Sequence, residues 1–368
     1  MFNVESFLKE ACSKGAADIH LRIGKVPSLR ILNDIVRVNC PKLSEKDFYN
    51  ILDKIAPVGK SEDFKNLFNA DFAYEIEDVA RFRVNYCRDL GIPKLTMRIV
   101  PYQAPTFEEM SIPASFKNFV KNNNGIVLIT GPTGSGKSTT IACLLEYVNQ
   151  NFKKHIVTIE DPVEFIYTDK KSIITQRQLE IDVENFADGI KYSLRQDPDI
   201  ILVGEIRDRA TAEAALTAAE TGHLVLSTIH TNSAIQTVNR IINMFDENLR
   251  EFIRDRLASC LKGTIAQKLI PRIGGGRVPA FEVMTVTPTV GDYMRKNELD
   301  KIHQLIQEGG FDNMTTLNAS IYNLLNNQII DEKDAYIASD NPLELQQLVK
   351  GYYHGVKHYN VNNELHLD

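Results

Sequence analysis

Four short, almost wholly aliphatic runs constrain this chain more than any other feature: IVLIT (126–130), HIVTIE (155–160), DIILVGE (199–205) and HLVLSTIH (223–230). A strand with one wet face alternates apolar and polar residues. A run without alternation is buried on both faces, and such strands belong to mainly parallel sheets covered by helices on either side. The segments between them agree, since KSTTIACLLEYVNQN and RATAEAALTAAETG carry helical composition and spacing. The expected class is therefore α/β with a mostly parallel sheet. Each run also ends in polar or charged residues, and in open α/β sheets ligands sit at the carboxyl ends of the strands.

Between the first run and the first helix stands Gly131-Pro132-Thr133-Gly134-Ser135-Gly136-Lys137-Ser138-Thr139. It fits GxxxxGK[ST] in the strand-to-helix context that the pattern requires. Its glycines let backbone N–H groups close around phosphate oxygens, Lys137 places a positive charge at the β and γ phosphates, and Ser138 can ligate Mg²⁺. ATP and Mg²⁺ are the expected ligands.

The other strand ends supply candidate chemistry. Glu160, Asp161 and Glu164 cluster in TIEDPVE, where a carboxylate could orient water, accept its proton or hold Mg²⁺ through water. The same residues would also suit a helix cap or a solvated turn. In DPDIILVGEIRD four aliphatics deliver Glu205, an acid that is costly to bury unless it serves a metal or a water. Glu205 is read as the carboxylate that positions Mg²⁺, and either it or Glu164 takes the proton from the attacking water. Arg195 and Arg207 either neutralise phosphate charge or pair with Asp197 or Asp208. In TGHLVLSTIHTN, His230 and Thr228 could sense the γ-phosphate through hydrogen bonds.

The flanking regions read differently. Residues 18–38 and 71–100 alternate apolar and polar positions, and the first stretch breaks at Gly24, Pro27 and Asn33-Asp34. KLSEKDFYNILDKIAP has helical spacing behind Ser44 as an N-cap, and Phe2, Val4, Phe7, Leu8 and Ala11 fit a short amphipathic helix. An α+β domain is expected over 1–100, a proline-punctuated linker over 101–112, the ATPase core over 113–285 and a helical region with an asparagine-rich tail over 286–368. A net charge of −6 argues against a general polyanion binder, so no nucleic acid partner is expected. The five cysteines lie far apart without zinc-like spacing, as core thiols of a reducing compartment do. No apolar run approaches the ~18 residues needed to cross a bilayer, and the N-terminus lacks the pattern of a signal peptide. A cytoplasmic protein is expected.

With these segments in order the chain resembles the secretion-ATPase superfamily of type II secretion and type IV pilus motors. GPTGSGKST corresponds to its Walker A box, TIEDPVEF to its aspartate box, LRQDPDIILVGEIRD to its Walker B box and TGHLVLSTIHTNSA to its histidine box. DIHLRIGKVPSLRI and RFRVN are similar to its N-terminal domain. The resemblance implies a RecA-like core with a PAS-like N-terminal domain, assembled as a homo-hexameric ring with nucleotide between the two domains. It also implies a peripheral position at the inner membrane on a pilus platform protein. Arg81, Arg83 and Arg98 stand where the family's N-terminal arginines reach the phosphates.

Within the superfamily the chain is most similar to the retraction-motor group of type IV pili. Its length leaves no room for the added N-terminal domains and zinc insert of assembly motors, and MTTLNASIYNLLNNQIIDEKDAYIASDNPLEL resembles the group's C-terminal helices. An auxiliary paralogue that partners the main motor is the nearest variant. The chain departs from the group's Ala-Ile-Arg-Asn-Leu-Ile-Arg element with TVGDYMR (289–295), and Lys191 replaces an arginine before Walker B. Glycine at 291 removes a charged handle and loosens its helix by ~1 kcal/mol.

Overall fold

The computed structural model describes residues 2–31, 34–57, 64, 66–77, 79–100, 104–309 and 313–351. Residues 101–103 of the expected linker, Asn33 of the expected Asn33-Asp34 break and the asparagine-rich tail beyond residue 351 lie outside the described residues. The chain divides into two compact units: residues 1–104 with 164–168, and residues 105–163 with 169–368.

The first unit pairs helices α1 (Val4–Ser13) and α2 (Glu45–Ile55) with strands β1 (Ala16–Arg22), β2 (Ser28–Ile31), β3 (Asp34–Arg37), β4 (Asn69–Ile76), β5 (Ala80–Asp89) and β6 (Ile92–Val100). The sheet runs β3-β2-β1-β6-β5-β4 and every neighbour is antiparallel. The alternation read in 18–38 and 71–100 has its cause here. Ile19, Leu21, Phe82, Val84, Leu95 and Met97 are buried with Val4, Leu8, Phe48 and Leu52 of the helices, while the intervening residues leave the opposite face. Ser44 does cap α2, accepting from the Asp47 amide at 3.1 Å.

The second unit is built on strands β7 (Gly125–Thr130), β8 (His155–Glu160), β9 (Ile173–Gln178), β10 (Ile200–Val203), β11 (Leu224–Ile229), β12 (Leu261–Pro271) and β13 (Arg277–Thr285), in the order β13-β12-β7-β11-β10-β8-β9. Every pairing is parallel except β12 with β13. All residues of β7, β10 and β11 are buried, as the unalternating runs require. Helices α3 (Lys137–Asn151), α4 (Phe186–Ser193), α5 (Arg209–Glu220), α6 (Ala234–Ile242) and α7 (Arg250–Cys260) complete the RecA-like layers. The strand order is not the sequence order: β11 inserts between β7 and β10. It therefore places the loops after β7, β11, β10 and β8 side by side along one sheet edge.

Helices α8 (Pro288–Arg295) and α9 (Leu299–Glu308) bury Val290, Met294, Ile302 and Ile306 in the main core. Helices α10 (Leu317–Asn326), α11 (Glu332–Ala338) and α12 (Pro342–Val349) instead form a smaller core with Ile270, Val278 and Ala280 of the β12–β13 hairpin. Among the described residues no helix is long and apolar enough to cross a membrane, and the five cysteines are free thiols.

Candidate nucleotide-binding and hydrolysis site

The loop 131–136 leaves β7 and becomes the first turn of α3. Gly131 and Gly136 have φ of 142° and 88°, in the region that side chains disfavour. A Cβ on Gly131 would lie 2.4 Å from the Gln267 carbonyl oxygen, and one on Gly136 would lie 2.7 Å from Gln267 Nε2. Both positions are closed to larger residues by conformation and by space.

The start of α3 differs from its neighbours. Asn185, Asp208 and Ser233 cap α4, α5 and α6 by accepting from the amides of Asp188, Thr211 and Gln236. Gly136 offers α3 no side-chain cap. The first amides of a fifteen-residue helix are left for an anion, with the positive end of the helix dipole behind them.

Lys137 folds back over the loop and donates to the carbonyl oxygens of Gly131 and Pro132 at 3.0 and 2.9 Å. Burial lowers its pKa, and the nearby Glu205 carboxylate opposes that fall. Ser135 Oγ and Thr130 Oγ1 are buried with no hydrogen-bond partner, and Glu205 Oε2 is buried with charged neighbours but no directed hydrogen bond. Unpartnered buried oxygens are rare because each carries a desolvation cost. Their concentration here fits a site completed by phosphate, magnesium and water.

Glu205 follows β10 after Gly204 and is 9% exposed. Gly204 is held by Thr228, whose Oγ1 donates to its carbonyl at 2.7 Å. Thr228 thus fixes the Walker B turn, and in this arrangement its hydroxyl hydrogen is already committed. Arg207 Nε forms an ion pair with Glu205 Oε2 at 2.5 Å. Of the two roles open to Arg207 the ion pair is seen, with Glu205 as partner. Asp208 instead caps α5, and Asp197 offers its carbonyl to His155 Nδ1 at 3.2 Å.

His230, just beyond β11, brings Nε2 to 3.5 Å from the same Glu205 oxygen. Burial and then the charge of Lys137 lower its pKa, against the pull of Glu205. Both influences favour the neutral ring, which can relay a hydrogen bond. Lys137, His230 and Glu205 form one electrostatic group, as the strand order β7-β11-β10 dictates.

The remaining candidates are placed differently. Glu160 is buried at the end of β8, accepting from Thr158 Oγ1 at 2.7 Å. Asp161 is exposed, and Glu164 is exposed in the stretch grouped with the first unit. Arg195 is exposed with its guanidinium 5.9 Å from the Tyr192 ring, and Lys191 Nζ lies at the same distance. In the first unit Arg83 and Arg98 are direct partners across β5 and β6, and Arg81 is two residues from Arg83. All three leave the face opposite the core, where Arg98 Nε donates to Asp18 Oδ1 at 2.9 Å. Sequence reasoning missed Gln267, Thr140 and Glu282, all buried. The available signal was a charged residue within an apolar run, Glu282 in PAFEVMT.

Ser138 is exposed at the head of α3, where its hydroxyl can meet an ion on bound phosphates. Among the described residues no cluster of three or more His, Cys, Asp or Glu could cage a metal. Mg²⁺ takes one or two protein oxygens and completes its shell with phosphate and water. Ser138 and Glu205 would hold it, and the ion would neutralise charge on the transferred phosphoryl group.

A profile described as "Type II/IV secretion system protein" matches residues 3–310. The chain belongs to the type II/IV secretion system protein family. Within that family it is 39% identical over 333 residues to the type IV pilus retraction ATPase PilT of Pseudomonas aeruginosa, covering 90% of this chain and 97% of the relative. It is 32% identical over 347 residues to the type IV pilus ATPase PilU of the same organism, covering 94% and 91%. A crystal structure of the pilus retraction motor PilT with bound ADP superposes with a TM-score of 0.87 at 38% identity, covering 94% of this chain and all of that one. Family membership and the intact Lys137, Glu205 and His230 group make this member of the secretion family an ATPase.

Proposed function

We propose that this chain is the ATP-hydrolysing motor of type IV pilus retraction, acting as a homo-hexameric ring on an inner-membrane platform protein at the cytoplasmic face. The observation that carries this reading is the end-to-end match to a relative named for retraction, which spans 97% of that relative. Phosphates bind to the loop 131–139, Mg²⁺ is held by Ser138 and Glu205, and Glu205 orients the attacking water with His230 beside it. Loss of the γ-phosphate removes the ligand that draws these groups together, so each state of the site favours a different arrangement of the ring.

A second reading, an auxiliary motor that works beside the main one, is favoured by Gly291. Where the retraction group carries an arginine, α8 has glycine. Its remaining Arg295 is held within the chain by Asp255, Asp292 and Ser259 at 2.9, 3.2 and 3.2 Å. Fluorescence imaging of labelled pili in cells lacking the protein separates the two. Retraction that stops, and is restored by wild type but not by Glu205→Gln, identifies the main motor. Retraction that persists without the protein refutes that assignment and leaves the auxiliary one.

A further inference from the structure

Gln267 ends the buried stretch 263–267 of β12, where leucine would pack at no electrostatic cost. It is 4% exposed, and a buried primary amide is retained against its desolvation only when its groups are used. Its Oε1 accepts from Thr140 Oγ1 at 2.7 Å, a wholly buried bond between β12 and the first turn of α3. Its Nε2 fills the space beside Gly136, and its own carbonyl oxygen closes the space beside Gly131. The register explains the reach: Ala266 pairs with Thr130, the last residue of β7, so residue 267 stands one step beyond the strand end, under the loop.

We propose that Gln267 is a positioning residue of the phosphate loop. Its side chain is bonded to the first helical turn and stands beside the loop's exit at Gly136, and so aims the free amides of α3 before any ligand arrives. This rests on the nucleotide-binding reading of the loop. A group that organises a binding loop in advance contributes to affinity for every nucleotide state alike. Its loss should therefore appear in KM and Kd and leave kcat nearly unchanged.

The test uses the full chain, with binding of a fluorescent ADP analogue and steady-state ATP hydrolysis measured side by side. Gln267→Leu and Thr140→Val should each raise the Kd for ADP and the KM for ATP roughly tenfold, the scale of one buried hydrogen bond, with kcat within about twofold. Thr140→Ser keeps the hydroxyl and should keep wild-type affinity. The double variant Gln267→Leu/Thr140→Val should bind no worse than the weaker single, because both remove the same link. Thr140→Val preserves side-chain shape and carries the test alone if Gln267→Leu does not fold. Wild-type Kd and KM in Thr140→Val, a loss confined to kcat, or losses that multiply in the double variant would overturn the proposal. A wild type that binds no ADP would overturn the nucleotide reading and this role together; a wild type that binds while the variants match it overturns this role alone.

Discussion

Glu282 lies on β13 opposite Ala266, 8% exposed, and its Oε1 accepts from the Ala234 amide at 2.7 Å. Ala234 opens α6, four residues after His230, so the carboxyl group holds the helix that follows the histidine box. Burial pushes its pKa from 4.5 up to about 7; the Ala234 amide opposes this, while Asp340 and Glu344 reinforce it. Lys268, on the neighbouring strand, is already paired with Asp340 and bonded to the Ala338 carbonyl.

The perturbation is Glu282→Gln, which keeps an oxygen for the Ala234 amide and removes the titration. The folded-state pKa lies above the unfolded one, so the stability linked to the proton is fully present below about 4.5. It is lost as pH rises to about 7 and absent above. A rise of roughly 2.5 units corresponds to about 3 kcal/mol. Between pH 5 and pH 8 wild type should lose about 2–3 kcal/mol relative to Glu282→Gln, because all other acids titrate alike in the two proteins. For a unit of this size that is a relative change in Tm of roughly 4–12 °C. Thermal melts of both proteins at half-unit pH steps measure it directly. Parallel Tm profiles from pH 5 to pH 8 would refute the argument, since they would mean that Glu282 titrates alike in both states.

Two further outcomes concern the loop. Lys137→Ala should weaken ADP binding roughly 10- to 100-fold, through loss of a charge-assisted bond to phosphate, in an equilibrium titration; undiminished affinity would remove the loop assignment. Gly136→Ala should cost about 1–3 kcal/mol of loop stability, because φ is 88° and the new Cβ would meet Gln267 Nε2 at 2.7 Å. It is read as a fall in ADP affinity and in Tm, and a variant that binds and melts like wild type would show that the loop relaxes freely.

Local features of this chain were legible because their causes are local. Three of the four uninterrupted runs became fully buried strands, Ser44 became a cap, and the KSTTIACLLEYVNQN segment became α3 from its first residue to its last. The glycine loop was legible for the same reason, since its function requires backbone freedom at fixed spacings. Strand order was not. Sequence order places the aspartate box next to the loop, whereas the sheet inserts β11 and then β10 between β7 and β8. Only that order sets His230 between Lys137 and Glu205, and no single segment encodes it.

The same distinction explains the residues that were missed and those whose setting was not foreseen. Gln267 acquires meaning from Thr140, 127 positions away, and Glu282 from Ala234, 48 positions away. Read alone, Glu282 is one charged residue in an apolar run and Gln267 half of a polar Gln-Lys pair, and neither reveals its partner. Arg98 shows the converse. Its place in the first unit was expected, but the partner it has there, Asp18, lies 80 positions earlier and is brought opposite by the β1–β6 register. Arg207 likewise meets Glu205 rather than Asp208, whose carboxylate is engaged as a helix cap. A charged residue's partner is chosen by which competing acids the fold has already committed. Spacing in the sequence identifies the candidates, and the hydrogen bonds of caps and turns decide among them.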